Sequence, residues 1–447
     1  MFRKTAFLPI WAGQVVSILG SSLSEFALGI WLYQRTGSAS NFALVAVCTA
    51  LPLLLFSPLA GVLVDRYPRR WMMALADSGA ALCTLLAAVL FLSGRMQPWH
   101  IFLVTTLSST FSALQVPAYS ALVAGLVTGK QLGRANGMIQ FGQGLAEILA
   151  PSLAGALVIT IGTPGVLIVD LATFIVGITT LLLVRVSETP AAQPSGGEAP
   201  ASHQPPHSIR RLPAELRAGW QALRAQPGLG SLLRFQMLFA FLWSLFGVLV
   251  TPMILGFTGP QGLGLVLTAA GGGLLAGSLM MSAWGGPRRR LTGILGFELV
   301  SSGAFVVMGL RPDLLLVAGA AIAAHWTLAF VSSLSESIWQ SQVDRAVLGR
   351  VLALRQAAVK GATLLAYLLA GGLADRVLEP LLQPGGWLSG GLGTWLGVGP
   401  GRGIAALFLL IGLVKAAAVL RIYFTPGVRA FDRLVEVRPV EVNAHSH

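Results

Sequence analysis

Apolar residues along this chain show neither the two-residue alternation of a half-buried strand nor the narrow stripe of a surface helix. They come in unbroken runs of about 20 residues or more, bounded by glycine, proline or charge. The runs predict helices at 6–33, 40–64, 71–94, 98–124, 136–161, 165–185, 231–257, 261–284, 291–310, 313–340, 351–374 and 403–424. About 20 apolar residues in a helix cross a hydrocarbon core of about 30 Å, so each run is long enough to span a bilayer. The expected fold class is an all-α membrane protein with twelve transmembrane helices in two pseudo-symmetric six-helix bundles. A lipid-spanning β-barrel is excluded, because its strands alternate in polarity over about ten residues.

The pattern breaks once, at 187–228, where Glu-Thr-Pro-Ala-Ala-Gln-Pro-Ser-Gly-Gly and similar sequence cannot bury a core. The expected organisation is an N-terminal bundle at 1–186, a cytoplasmic linker at 187–228, a C-terminal bundle at 229–424 and a cytoplasmic tail at 425–447. Late in the linker, Leu212, Leu216, Trp220 and Leu223 share a helical face among Arg211, Arg217 and Arg224. That suits a helix lying on the inner membrane surface; a partner-binding helix is the alternative. The halves echo each other, since Leu132-Gly133-Arg134 recurs as Leu348-Gly349-Arg350 and Pro68-Arg69-Arg70 recurs within Pro287-Arg288-Arg289-Arg290. Parallel six-helix repeats are an architecture of rocker-type secondary transporters, with the site between the halves.

Composition agrees with burial in lipid. Only 11% of residues are charged, 55% are hydrophobic and mean hydropathy is +0.75, against about 25% charged in soluble domains. The net charge of +13 would suggest nucleic acid in a soluble protein. Here it reads as an orientation signal, and no nucleic-acid partner is expected. Of the 30 Lys and Arg, twenty-three fall in the termini and the loops on the same side, five on the opposite side, and Lys360 and Lys415 inside helices. Both ends are therefore expected in the cytoplasm. Arg3-Lys4 before an apolar stretch imitates a secretory signal, but the stretch runs on to Tyr33, past a signal's 7–15 apolar residues. Cys48 and Cys83 lie in separate apolar runs and read as core residues.

The sharpest motif is Gly61-Val62-Leu63-Val64-Asp65-Arg66-Tyr67-Pro68-Arg69-Arg70, between helices 2 and 3. It resembles the cytoplasmic signature of the major facilitator superfamily, and the resemblance extends over nearly all the chain. Three further stretches look like the drug:proton antiporter branch that includes the macrolide-efflux transporters. They run from Phe26 to Ser38, from Leu132 to Gly137, and from Gly371 to Pro380. The resemblance implies the major facilitator fold in a bacterial inner (plasma) membrane, working as a monomer without cofactors. It also implies a gate latch built from Gly61, Asp65, Arg66, Arg69 and Arg70, in which Gly61 lets helix ends approach and Asp65 faces the positive start of a helix of the other half, helix 11; orientation charges alone are the alternative. The second half lacks this acid, having Trp284-Gly285-Gly286-Pro287, and no Asp or Glu occurs between Asp77 and Glu147. Asp77 is therefore a candidate partner for the arginines. Gly142, Ala146, Ala150 and Ala154, with Pro151, form a small-residue seam in helix 5 that looks like a weakened antiporter signature.

Ionisable residues inside a membrane cost about 2.5–3.5 kcal/mol on insertion scales and are functional candidates by default. Glu25, Asp77, Glu147, Asp170, Glu298 and Glu336 qualify. A carboxyl in apolar surroundings is costly to ionise, which suits it to exchange protons. Glu25, Glu147 and Asp170 are the proton-coupling candidates; of these Glu25 and Glu147 lie deepest, Glu147 being preferred as nearer mid-membrane and one helical turn from Gln143, and Asp170 lies nearer the outer surface. Binding a cationic substrate and a structural role are their alternatives. Asp77, Glu298 and Glu336 lie within about two turns of the cytoplasmic side and read as solvated or structural charges, while Lys360 and Lys415 can snorkel and carry no assigned role. Candidate substrate contacts are Gln14, Trp31, Phe111, Gln115, Gln140, Gln143, Gln236, Phe239, Trp243, His325 and Trp326, for each of which lipid-facing or packed is an equal alternative.

Enzyme signals fail. The run from Gly125 to Gln131 is one residue short of a phosphate loop and follows a helix, the glycines at 397–403 fall in an outer loop, and His445-Ser446-His447 is too short for a metal site. The expected function is secondary active transport, with proton-coupled efflux of a small amphipathic molecule by alternating access as the leading form. A lipid flippase, a nutrient importer and a membrane sensor or scaffold that moves nothing are the alternatives. Expected partners are the small-molecule substrate, protons and the lipid bilayer.

Overall fold

The computed structural model describes residues 4–127, 129–184, 228–343 and 347–424, together with 217, 220, 221 and 223. Most of the linker, including most of its amphipathic stretch, and the tail from 425 lie outside these residues.

Twelve helices are long and apolar enough to cross a membrane. In chain order they are α1 (Lys4–Thr36), α2 (Ala39–Arg66), α3 (Arg69–Leu92), α4 (Pro98–Leu126), α5 (Gly129–Thr160) and α6 (Gly162–Leu183). The second set is α7 (Leu229–Leu255), α8 (Pro260–Trp284), α9 (Arg290–Leu310), α10 (Leu314–Gln342), α11 (Leu348–Gly372) and α12 (Arg402–Tyr423). Several helices run beyond the predicted apolar limits. The start of α5, Gly129 rather than 136, adds a polar turn that hydropathy does not register. After α11 the chain continues as a π-helix over Leu373–Leu378 and a helical turn at Glu379–Leu382. Gly and Pro punctuate the ends: Gln97 and Gly259 precede Pro98 and Pro260, whose missing N–H falls where no helical bond exists.

The chain divides into two compact units, the first holding residues 1–37 and 44–213 and the second holding 38–43 and 214–447. Within the first, α1 packs on α5 and α6, and α3 on α4 and α6. Within the second, α8 packs on α10, α9 on α10 and α12, and α7 on α11 and α12. Four pairings recur six helices on: α1–α5, α1–α6, α3–α4 and α3–α6 as α7–α11, α7–α12, α9–α10 and α9–α12.

Close packing comes from small residues, because lipid offers no hydrophobic drive for helices to associate. The seam of α5 faces α1: Ala146, Ala150 and Ala154 are buried, the latter two in a cluster with Leu23 and Ala27. In the second unit a Cβ built on Gly273 or Gly277 would lie 2.4 Å from the carbonyl oxygen of Ile322 or Trp326, so only glycine permits the α8–α10 approach.

Candidate functional site

Along α1, α3, α4 and α6 of the first unit lie two polar layers. In one, the carboxylate of Asp77 is 1% exposed and accepts from Gln14 Nε2 at 2.9 Å and Gln115 Nε2 at 2.7 Å. Gln115 Nε2 also reaches Gln14 Oε1 at 3.1 Å. Asp77 is met by two amides rather than by the loop arginines, and Gln14 and Gln115, for which packing was an equal alternative to substrate contact, hold a buried carboxylate. Arg69 donates to the Ala121 carbonyl at 2.8 Å and Arg70 to the Leu182 carbonyl, tying the start of α3 to α4 and α6. Arg66 is exposed, and the side chains of Gly61 and Asp65 lie outside the described ones.

The second layer lies farther along the same helices. Asp170 on α6 is 1% exposed and accepts from Thr84 Oγ1 of α3 at 3.1 Å, with Thr173 Oγ1 at 3.4 Å and the hydroxyls of Ser21 and Ser24 close by. It sits eight residues into α6, about 12 Å from its start, deeper than the apolar run suggested, because the helix begins at Gly162 rather than 165. Glu25 on α1, eleven residues from Thr36 and about 16 Å from the helix end, is near enough for its charge to interact with that of Asp170. Unlike Asp170 it is exposed. Two carboxyl groups, one held by neutral hydroxyls and one open, thus share a depth close to the middle of the spans. The side chains of Glu147 and Gln140 lie outside the described ones. Gln143 and Trp31 are half-buried, Trp31 standing edge-on to Phe91 with centroids 5.0 Å apart, and Phe111 packs over Gly79.

The second unit handles charge differently. Lys415 on α12 is 1% exposed, and its Nζ lies 2.8 Å from Glu298 Oε2 and 2.9 Å from Ser301 Oγ, both on α9. The ammonium also stands over the rings of Phe305, Phe239 and Trp243 at 4.5, 5.4 and 5.7 Å, within the range of cation–π attraction. Of the two alternatives for Glu298, the structure takes the structural one, and Lys415 pairs with it instead of snorkelling. Lys415 lies eight residues from the end of α12 and Glu298 eight from the start of α9, so the antiparallel helices bring them to one depth. Lys360 is exposed.

The remaining candidates gather around this pair or nearer the linker side. Trp243 contacts His325 and Phe305 at centroid distances of 5.3 and 5.6 Å, and His325 Nδ1 is 2.9 Å from the Ala321 carbonyl. Trp326 instead stands edge-on to Phe297 and tilted against Phe330. Gln236 Oε1 accepts from Trp339 Nε1 at 2.9 Å and Arg355 Nε at 3.0 Å, its amide nitrogen meets Ser335, and Arg355 bonds Glu336 at 2.6 Å. Thr84, Thr173, Ser301, Phe305, Ser335 and Arg355 are partners that the hydropathy pattern does not reveal, because a hydroxyl or arginine within an apolar run has no partner visible in one dimension.

These features define a polytopic helical membrane protein whose two bundles carry charged groups in their interiors. The model of the Major Facilitator Superfamily matches residues 10–366, and the chain belongs to this family of transporters rather than to any class of enzyme. It is 26% identical over 379 residues to Macrolide efflux protein A of Streptococcus pyogenes, covering 84% of this chain and 90% of that one. It is likewise 26% identical over 383 residues to Multidrug efflux pump Tap of Mycobacterium tuberculosis, covering 83% and 88%. The crystal structure of a bacterial homologue of the iron transporter ferroportin in an inward-facing state superposes with a TM-score of 0.65 at 16% identity, covering 94% of this chain and 99% of that one.

Proposed function

We propose that the chain is a proton-coupled exporter of a small amphipathic molecule, working by alternating access in a bacterial plasma membrane with both termini cytoplasmic. The observation that carries this reading is the open Glu25 carboxyl beside the buried Asp170. Neutral hydroxyls hold Asp170 without cancelling its charge, and among the described residues no cation is paired with either acid. A charge left inside a membrane bundle is costly, and a mobile proton relieves that cost at Glu25. Export rather than import is supported by the printed names of the relatives, macrolide efflux protein and multidrug efflux pump. The basic loops support the cytoplasmic placement of the ends. Glu147, three helical positions beyond Gly144 on α5, remains a second candidate carrier, and the domain boundaries at 186, 228 and 424 are those of two transport bundles joined by a linker.

The driving force is sufficient. One charge crossing 100 mV gains about 2.3 kcal/mol and each pH unit adds about 1.4 kcal/mol. One proton then sustains an outward gradient of several hundredfold.

The test is accumulation of radiolabelled erythromycin in cells stripped of other pumps, with and without a protonophore. We expect wild-type cells to exclude the label, and cells carrying Glu25→Gln or treated with protonophore to fill. Exclusion that survives the protonophore and a Glu25→Gln/Glu147→Gln double substitution would overturn proton coupling. Inward accumulation by the wild type would favour an importer.

A further inference from the structure

Two acids of the first unit are each 1% exposed, yet their neighbours serve them differently. Asp77 receives amide protons at 2.7 and 2.9 Å, ordinary lengths for a charged acceptor. Around Asp170 the supply of protons falls short. A hydroxyl has one proton to give and two lone pairs. Thr173 Oγ1 gives its proton to the backbone carbonyl of Asp170 at 2.7 Å. At 3.4 Å from Asp170 Oδ1 it therefore presents a lone pair and not a donor. Ser21 Oγ, near the same carboxylate, donates to the Ser17 carbonyl at 3.1 Å. Ser24 Oγ also lies close to that carboxylate, on a residue 4% exposed, and meets no partner in hydrogen-bonding geometry. Thr84 Oγ1 does have a proton for Asp170, but at 3.1 Å, where a hydroxyl on a carboxylate usually stands at about 2.5–2.7 Å.

Lone pairs that converge on a carboxylate repel it. A proton on Asp170 would satisfy one of these oxygens; a cation among them satisfies them together. The space for them comes from Gly20 on α1. A Cβ there would lie 2.0 Å from Thr173 Oγ1 and 2.8 Å from Asp170 Oδ1, so the two oxygens occupy the place that a side chain would fill. Every element of the cradle, α1, α3 and α6, belongs to the first unit.

We propose that Asp170, Ser24, Ser21 and Thr173 form a site for one small monovalent cation, Na+. The ligands are all oxygen, which suits hard cations and not the metals that seek nitrogen or sulfur. One buried carboxylate balances one positive charge, and a neutral complex is the least costly to keep inside a membrane bundle. Ca2+ takes six to eight oxygens and commonly several carboxylates, more than this cradle offers. The close approach of α1 and α6 at Gly20 selects Na+ over the larger K+. Glu25, exposed and near enough for its charge to act on Asp170, draws a cation toward the cradle. The proposal goes beyond proton coupling: it gives Asp170 an occupant of its own and leaves the proton to Glu25.

The test uses the purified full chain in detergent, with 22Na+ as the probe in a scintillation proximity assay. We expect saturable binding to the wild type, displaced by unlabelled NaCl and not by equal KCl or choline chloride. Asp170→Asn should abolish it. Ser24→Ala and Thr173→Val should each weaken it about tenfold, as the loss of a supporting group does at other metal sites. Ser24→Ala is the decisive variant, since the hydroxyl it removes bonds to nothing, and its unfolding midpoint in choline chloride should equal that of the wild type. A second measurement needs no label: NaCl should raise the wild-type unfolding midpoint by about 2 °C or more over equal KCl, because a ligand that binds only the folded state stabilises it. No saturable 22Na+ binding, equal effects of NaCl and KCl, or wild-type affinity in Ser24→Ala and Asp170→Asn would overturn the proposal. Displacement of 22Na+ by far lower concentrations of CaCl2 would overturn the monovalent assignment. Protonophore-sensitive export without 22Na+ binding would sink this site and leave proton coupling standing. Binding of 22Na+ by a wild type whose export survives a protonophore would do the reverse.

Discussion

Asp77 and Asp170 of the first unit and Glu298 of the second, all buried, are held in opposite ways. In the first, Asp77 is held by two amides and Asp170 by hydroxyls, so the donors orient each carboxylate without cancelling its charge. In the second, buried Glu298 carries Lys415 within hydrogen-bond reach, and the half-exposed Glu336 carries Arg355. A pair that supplies its own counter-ion has no use for a mobile one. Under the proposed proton coupling, the first unit would gain and lose a proton, and the Glu298–Lys415 pair of the second would stay neutral.

The largest expected effect comes from breaking the neutral pair. Lys415→Met leaves Glu298 buried without its partner, and losing one member of a buried ion pair typically costs about 3–5 kcal/mol. Thermal unfolding in detergent should show the loss, and Lys415→Met/Glu298→Gln, which removes both charges, should recover most of it. Failure of the double variant to recover would mean that the aromatic contacts of the ammonium, rather than its charge pairing, hold the bundle.

Next in size is the response of the first unit. Asp170→Asn keeps a hydrogen-bonding group of the same shape among Thr84 and Thr173, so stability should fall by only about 1 kcal/mol. Uphill export should fall at least about tenfold if the charge matters to coupling. A large loss of stability with export per folded molecule unchanged would make Asp170 a structural residue and erase the contrast between the units.

The glycines sharpen the comparison on packing alone. A Cβ on Gly273 meets a backbone carbonyl oxygen at 2.4 Å, whereas one on Gly13 meets the movable hydroxyl of Thr180. Gly273→Ala should therefore cost about 1–3 kcal/mol by overpacking, and Gly13→Ala less, both read from unfolding midpoints. The smallest effect is expected at Lys360, which is exposed on α11: Lys360→Gln should shift stability by less than about 0.5 kcal/mol.

Much of the fold was legible because lipid imposes a one-dimensional rule: a spanning helix must be apolar for its whole length, and hydropathy reads length directly. Where the rule stops, so does legibility. The polar first turn of α5 from Gly129 and the π turn after Gly372 carry no hydropathy signature. The site was less accessible, since pairing depends on which faces meet across helices distant in sequence. Glu298 and Lys415 were both visible as charges in apolar runs, and their equal depths from the same side were a usable sign that they pair. Depth alone misjudged Asp170, whose helix starts three residues earlier than its apolar run, and nothing in the sequence tied Gln14 and Gln115 to Asp77 across α1, α3 and α4.

The most direct measurement separates exchange from uphill movement in liposomes of opposite pH inside and out. Wild type, Glu25→Gln and Lys415→Met/Glu298→Gln would each be loaded with radiolabelled erythromycin. With a mobile proton acting in the first unit and a fixed pair in the second, Glu25→Gln should exchange label across the membrane yet build no gradient, while the neutral double variant does both at about the wild-type rate. A gradient built by Glu25→Gln, or its loss in the neutral double variant alone, would contradict this division and move the coupling charge to the second unit.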